Sequence, residues 1–391
     1  MTAVSPSVRQ GSYRVRTTCR GCESVELLSV LDLGFQPLAN GFRDPADDGP
    51  EERFPLHLVR CRSCELVQLS AVVSPDEIYG QQYAYRSGYS SGWSEHCHAL
   101  AKEIGRKRVL DVGCLDGVML RHCRDNGCEV MGFDASAPRS EMHIQREMFG
   151  RETRFQVGQF DVLIAQNVFG HVDDAEGFLL AARHAISSDG MIVIECPWIV
   201  DLVDGVRWDT VYHEHLSYWG VRALMRLAQA AQLEISATKY FPAIHGGTMR
   251  YYLRHRRAGV VDPAVYERWR DEEMDVFDWS RFQEQAEAQI RRWTAELSDT
   301  SKRIGIYGAS AKLNTFLNAL SVRPSIDAIY DDNPGKIGKV TPGHRFPVVK
   351  PTTHAFGMID LLLIGASNWR TEIEEKARDL GFRGEVRTLW T

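Results

Sequence analysis

Four cysteines carry the first recognisable chemistry of the chain. Cys19-Arg-Gly-Cys22 and Cys61-Arg-Ser-Cys64 are two C-x2-C pairs separated by residues 23–60. In each pair a tight knuckle turns two thiolates toward one ion, and two knuckles complete a tetrahedral all-thiolate shell, the ligand set of structural zinc. Gly21 and Ser63 read as the permissive residues of these turns. Because cysteine fills all four positions, no coordination site stays open, so the ion is expected to hold a small fold together without acting as a Lewis acid. The remaining Cys97, Cys114, Cys123, Cys128 and Cys196 fall in segments of helix or strand character, where buried free thiols are ordinary.

The densest titratable cluster is Tyr212-His213-Glu214-His215. His213 and His215 are two residues apart and cannot share a helix face, so a metal-binding histidine pair on a helix is excluded. One well-placed imidazole, with an unperturbed pKa near ~6.5, suffices for proton abstraction at neutral pH. The plain alternative is a polar helix cap carrying surface histidines. Upstream, Tyr79, Tyr83, Tyr85 and Tyr89 punctuate a Ser/Gly-rich stretch that ends at Trp93, which reads as a site wall or lid.

These groups need a scaffold. Residues 108–120 read as strand, glycine turn and helix, and a second strand over 129–133 ends in Asp134. Glycines in such a turn let backbone approach a ligand, and the acid at the next strand's end accepts hydrogen bonds from ribose hydroxyls. The turn is D-x-G-x-x-x-G, built on Asp111, Gly113 and Gly117, and lacks the G-x-G-x-x-G that brings backbone against a pyrophosphate. It resembles the motif of class I S-adenosylmethionine (SAM) methyltransferases, so a nicotinamide oxidoreductase is the weaker reading. Apolar strands over 160–165 and 190–195, separated by Asn167-Val-Phe-Gly-His171 and a helix over 175–186, predict a doubly wound α/β sheet.

His245-Gly-Gly-Thr-Met-Arg250 enters a further strand through a glycine bend, and residues 263–297 have the apolar spacing of linking helices. A second α/β unit follows, with a strand over 303–307, the turn Gly308-Ala-Ser310-Ala-Lys312, a helix through Leu320, and a strand over 326–330 ending in Asp331-Asp332-Asn333. Backbone N–H groups, the Ser310 hydroxyl and Lys312 would suit a phosphate-bearing ligand there; a turn shaped only by helix–sheet packing is the alternative.

Composition limits the partners. With 44% hydrophobic and 25% charged residues, 46 basic against 52 acidic, and a formal charge of −6, the chain is an ordinary globular sequence with room for two or three domains. Disordered and collagen-like classes are excluded. The mild acidity and the absence of a Lys/Arg block argue against nucleic-acid or membrane binding, and the lack of an apolar span or signal-like core reads as cytoplasmic.

Taken together, the cysteine ribbon, the Y-x-Y loop, D-x-G-C-x-D-G, N-V-F-G-H-V, Y-H-E-H, H-G-G-T-M-R-Y-Y and G-A-S-A-K-L-N-T resemble the sugar-nucleotide C-methyltransferases of antibiotic deoxysugar pathways over about residues 16–391. The resemblance implies an N-terminal zinc ribbon (1–75), a central class I SAM-binding sheet (76–260), a helical linker (261–300) and a C-terminal Rossmann-like domain (301–391). It implies methylation at C3, beside the ketone of a dTDP-linked 4-keto-deoxysugar. Three linked domains need no partner to bury their cores, so a monomer or weak oligomer is expected. His215 would be the base. Glu214 and Tyr212 would orient it or polarise the sugar, and His171 with Tyr83 or Tyr85 would line the reacting centre. SAM would bind at Asp111, Gly113, Gly117, Asp134 and Asn167. His245, Ser310, Lys312, Asn314, Asp332 and Asn333 would meet the sugar nucleotide.

Two departures qualify the match. The family's Glu-Ile-Gly-Cys-Asn-Asp-Gly reads Asp111-Val-Gly-Cys-Leu115-Asp-Gly here. Only residues 135–160 separate Asp134 from the next strand, too few for a third strand between two crossover helices. One of the elements that normally build the adenine pocket is therefore expected to be missing or minimal. Alternatives that keep the scaffold are epimerisation, O-methylation or another keto substrate; a further class is a non-catalytic binding protein.

Overall fold

A computed structural model describes residues 11–80, 91–138, 142–244, 246–257, 265, 267–268, 277–298, 301–366 and 369–389. Tyr83, Tyr85 and His245 lie outside the described residues.

The N-terminal part is built on an antiparallel sheet of Leu27–Gln36, Phe54–Cys61 and Val67–Leu69. Its last member is not local. Ser217–Tyr218, from just after the Tyr212–His215 segment, pairs antiparallel with Val67–Leu69, Ser217 opposite Gln68 and Tyr218 opposite Val67. The cysteine ribbon and the titratable cluster thus share one sheet.

The central sheet runs in the order Leu233–Phe241, Thr248–His255, Ile186–Pro197, Phe160–Gln166, Arg108–Val112, Glu129–Phe133, Ile144–Gln145. The last five are parallel neighbours, and the first two pair antiparallel. Ile164, Val193 and Ile194 are fully buried, as strands covered on both faces require. The short third strand is as the residue arithmetic predicts, two residues long, and residues 146–159 return without a helix. An aromatic cluster takes the helix's place: Phe149 meets Phe178 at 4.9 Å and Phe133 at 5.6 Å, while Phe155 meets Phe160 at 5.5 Å between ring centroids.

The C-terminal sheet is all parallel, in the order Val348–Val349, Ala328–Tyr330, Ile304–Tyr307, Leu361–Ile364, Glu385–Thr388. It repeats the central domain's local bonding. Arg303 grips Asp360 through its backbone N–H, Nε and Nη2 as Arg108 grips Asp161. The Gly308 N–H donates to the Tyr330 carbonyl at 2.7 Å, as that of Gly113 does to Phe133 at 2.7 Å. Between the two domains, helix Trp279–Leu297 begins at Asp278, whose carboxylate caps the Arg281 N–H. Its Trp293 packs on Phe316, and its Gln289 accepts from the Trp208 indole at 3.0 Å. One continuous hydrophobic core includes Leu58, Leu163 and Phe316, so all three sheets pack together.

Candidate active site and zinc centre

The four cysteine sulfurs lie within 4.8 Å of one another, with Cys19 and Cys64 at 3.4 Å and Cys22 and Cys61 at 3.6 Å. A tetrahedral zinc with Zn–S near about 2.3 Å needs sulfurs about 3.8 Å apart, so the cluster fits the ion. Backbone N–H groups of Gly21 and Ser63 each point at a cysteine sulfur at 3.3 Å. The left-handed residues of the knuckles are not Gly21 and Ser63 but Glu23 (φ 57°) and Glu65 (φ 68°). Each donates its N–H back to the first cysteine's carbonyl, and that bond closes the turn. Glu65 is also paired with Arg222 at 3.0 Å, fastening the ribbon to the central domain.

A pocket opens at the C-terminal ends of the central strands, where α/β sheets bind ligands. Asp111, Gly113, Asp134, Asn167 and His171 all line it, together with Tyr79, Trp93 and the Glu147–Phe149 stretch of the helix-less return. Gly113 (φ 73°) needs to be glycine twice over, because a Cβ would also collide with the Val168 side chain. Asp134 accepts from the Leu115 N–H at 2.9 Å and from Ser136. Burial and the neighbouring Asp134 push the Asp111 carboxyl well above its usual range. Gly117 (φ 74°) precedes helix Val118–Asp125 and does not itself line the pocket. Leu115 stands left-handed (φ 44°) where the family has a polar residue, but what the turn uses is its backbone N–H.

Residues 211–216 form a turn, not a helix cap. His213 is buried, donates Nε2–H to the Phe54 carbonyl at 3.3 Å, and burial lowers its pKa to about 4. It pins the segment to the zinc domain. His215 is half-buried. Its Nδ1 faces the Thr210 carbonyl at 2.8 Å; a carbonyl only accepts, so Nδ1 carries the proton and Nε2 keeps the basic lone pair. Its ring lies 3.9 Å from that of Tyr212 and stacks on His171 at 5.2 Å. His171 takes the Tyr79 hydroxyl at 3.4 Å, and burial lowers its pKa to about 4, so it is neutral at pH 7. Glu214 is buried, and desolvation raises its pKa.

The C-terminal residues are differently placed. Ser310 caps its own helix at Leu313 and donates to the Gly365 carbonyl. Asn314 is fully buried and donates to the Ala39 carbonyl at 2.7 Å, toward the zinc domain. Asp332 accepts from the Tyr307 hydroxyl and pairs with Lys376, whereas Asn333 accepts from Gly335. The acid in the position equivalent to Asp134 is Asp331, which takes the Ala309 N–H at 2.7 Å. Lys312 faces Asp209, whose attraction partly offsets the burial that lowers the lysine's pKa.

Tyr79 and Trp93, the two ends of the stretch read as a site wall, do line the pocket, whereas the sequence reading missed Asn40 altogether. Asn40 lies in Pro37-Leu-Ala-Asn-Gly-Phe42 and donates to Glu214 at 2.8 Å.

Family models match this architecture in order: a zinc binding domain at 19–79, a methyltransferase domain at 85–238 and a C-methyltransferase C-terminal domain at 243–386. The fold and site therefore define a SAM-dependent methyltransferase with a structural zinc domain in front and a C-methyltransferase domain behind. Among curated proteins, the C-methyltransferase NovU of Streptomyces niveus is 27% identical over 388 residues, covering 92% of each chain. Solved structures similar to this chain include a Burkholderia thailandensis 1,6-didemethyltoxoflavin N1-methyltransferase with bound S-adenosylhomocysteine (14% identity, 51% of this chain, 96% of that one, TM-score 0.38). Another is a Pyrococcus horikoshii protein (15% identity, 44% and 95%, TM-score 0.37). Among the described residues no helix is long and apolar enough to cross a membrane.

Proposed function

We propose that this protein methylates the carbon beside the ketone of a nucleotide-linked 4-keto-deoxysugar, C3 of a dTDP-linked sugar. The observation that carries the reading is the stacking of His215 on His171, which sets an imidazole whose basic nitrogen is Nε2 against the wall of the methyl-donor pocket. S-adenosylmethionine, when bound, supplies an electrophilic methyl group. Asp134 would accept from its ribose, and Asp111, Gly113 and Asn167 would hold its remaining length.

The chain's own residues would do the rest. His215 Nε2 takes the C3 proton, which the neighbouring carbonyl has acidified, and the Thr210 carbonyl holds the imidazolium that forms. Neutral His171 and Tyr79 add no charge and exclude water beside the reacting carbon. Tyr212 packs against the base and fixes its plane. Glu214 polarises the ketone oxygen. Lys312, buried and facing Asp209, would meet the pyrophosphate. The zinc ion takes no chemical part; it holds the sheet that the segment joins.

The test is transfer from [methyl-13C]SAM to a dTDP-4-keto-6-deoxyhexose, followed by carbon NMR. A labelled methyl on a carbon that bears no hydrogen supports the reading. Label on oxygen, or inversion at C3 without label, would replace it with O-methylation or epimerisation.

A further inference from the structure

Glu214 is held in an uncommon way. Its Oε1 accepts from the Asn40 side-chain amide at 2.8 Å, while its Oε2 is buried and has no hydrogen-bond partner among the described residues. Among the described residues no cation pairs with it. The groups that feel its charge are the phenols of Tyr79 and Tyr218, flanked by His213, which is pinned to Phe54, and by His215. The nearby cations Lys312 and Arg207 attend Asp209 instead. A buried carboxylate facing one neutral amide is costlier than the acid, and burial raises this group's pKa against the smaller, opposing effect of the Asn40 hydrogen bond.

We propose that Glu214 is a neutral carboxylic acid in its buried setting and that Asn40 is the positioning residue that directs its proton to Oε2, so that Oε2–H can donate to the ketone oxygen of the substrate. The amide is a donor toward Oε1, which makes Oε1 the carbonyl-like oxygen and leaves Oε2 to carry the hydrogen. Tethering of the domains does not explain the side chain. Its neighbours do that work, the Ala39 carbonyl taking Asn314 and the Phe42 ring lying under Lys336 at 5.4 Å. What the Asn40 amide adds is the contact with Glu214.

The catalytic use of that hydrogen rests on the function proposed above. As His215 removes the C3 proton, the C–H electron pair moves toward the ketone oxygen, and Oε2–H hydrogen-bonds the developing charge without giving its proton up. When the carbon takes the methyl group, the C–S pair stays on sulfur, the carbonyl is restored and the proton from C3 leaves through His215. Donors aimed at a developing oxyanion are worth about 10²–10³ in rate.

Two measurements test this, and the first needs no substrate. The infrared spectrum of the zinc-replete protein at neutral pH should show the carbonyl stretch of a protonated carboxylic acid that Glu214→Gln lacks; if Glu214→Gln removes only carboxylate absorption, the proposal fails whatever the substrate is. The second is kinetic, with a dTDP-4-keto-6-deoxyhexose. Asn40→Asp places a second carboxyl on Oε1, and the shared proton leaves Oε2. Its kcat should fall by about tenfold or more, with KM for the sugar nucleotide unchanged, and its ratio to wild type should recover as pH is lowered from about 8 to 6, where the introduced carboxyl regains a proton to donate. Glu214→Gln, which keeps a donor at the Oε2 position, should lose about tenfold, and Glu214→Leu about a hundredfold more. A pH-independent deficit in Asn40→Asp, or equal losses in the two Glu214 variants, would overturn the proposal. If wild type does not turn this sugar over, the proposed function fails while the infrared result still stands or falls alone.

Discussion

The imidazole rings of His171 and His215 are stacked, with centroids 5.2 Å apart and planes 28° from parallel. His171 lines the pocket at the C-terminal ends of the central strands, and His215 belongs to the segment pinned on the zinc domain's sheet. This contact brings the proposed base from one part of the chain against a pocket built by another. It also makes catalysis sensitive to residues that touch neither ligand.

The zinc centre is the first of these. Strand Val67–Leu69 begins three residues after Cys64 and pairs with Ser217–Tyr218, while the Leu69 N–H takes the Leu216 carbonyl at 2.9 Å. Cys61→Ser should lower bound zinc, measured by metal analysis. Methyl transfer should fall much further than the affinity for S-adenosylhomocysteine. Equal losses of both would mean that the ribbon supports the whole core and not the segment in particular.

Gly113→Ala should weaken S-adenosylhomocysteine binding by about tenfold or more. The left-handed backbone alone costs about 1–2 kcal/mol, and the added methyl meets Val168. Calorimetric titration of the folded variant checks it, and Gly113→Ala/Val168→Ala should recover part of the loss by removing the collision but not the backbone strain.

Asp173 receives Arg14, Arg16 and Arg20 from the zinc domain, and the Arg20 side chain is completely buried. Asp173→Ala would leave that guanidinium without its counter-ion and should cost about 3 kcal/mol. The midpoint of urea unfolding would report it. Arg20→Met in the same variant should restore part of the stability, because the uncompensated charge is then gone.

His213 ties acid sensitivity to the site. Its folded pKa is about 4, below the ordinary histidine value, so the unfolded chain binds the extra proton first as pH falls. The stability gained from keeping it neutral is complete above about pH 6.5 and is lost as pH falls toward 4, at most about 3 kcal/mol. Glu214, Asp209 and Asp111, whose pKa values are raised, work in the opposite sense and lose stability as pH rises through their folded values. The comparison must therefore be between variants. His213→Gln, which retains a donor for Phe54, should show a shallower loss of unfolding free energy between pH 7 and 5 than wild type.

The sequence made some of this legible and not the rest, for reasons that are physical. Cysteine spacing and the Asp111–Gly113–Asp134 pattern work over short stretches of chain, and their geometry follows from local turns. The shortness of residues 135–160 correctly implied a minimal third strand, but not that Phe149 and Phe155 would fill the helix's place. Asn40 gave no signal, because Ala-Asn-Gly reads as an ordinary turn; its importance comes from Glu214, far away in sequence. Residue type and spacing do not distinguish His213 from His215, only the resemblance does, and the physical difference is what lies opposite them, the Phe54 carbonyl for one and His171 for the other. Asn314 resembles a phosphate ligand in its motif, yet folds toward Ala39 because the loop of the zinc domain occupies that side of the helix.

The most direct test of the account is hydrogen exchange at C3. A dTDP-4-keto-6-deoxyhexose incubated in deuterated water with the zinc-replete protein and S-adenosylhomocysteine, followed by proton NMR, should lose its C3 signal faster than without protein. His215→Asn, folded and with its zinc and S-adenosylhomocysteine affinity intact, should not accelerate that loss. Exchange that proceeds equally in His215→Asn would remove His215 as the base, and no exchange in wild type despite demonstrated binding of the sugar nucleotide would contradict the proposed chemistry.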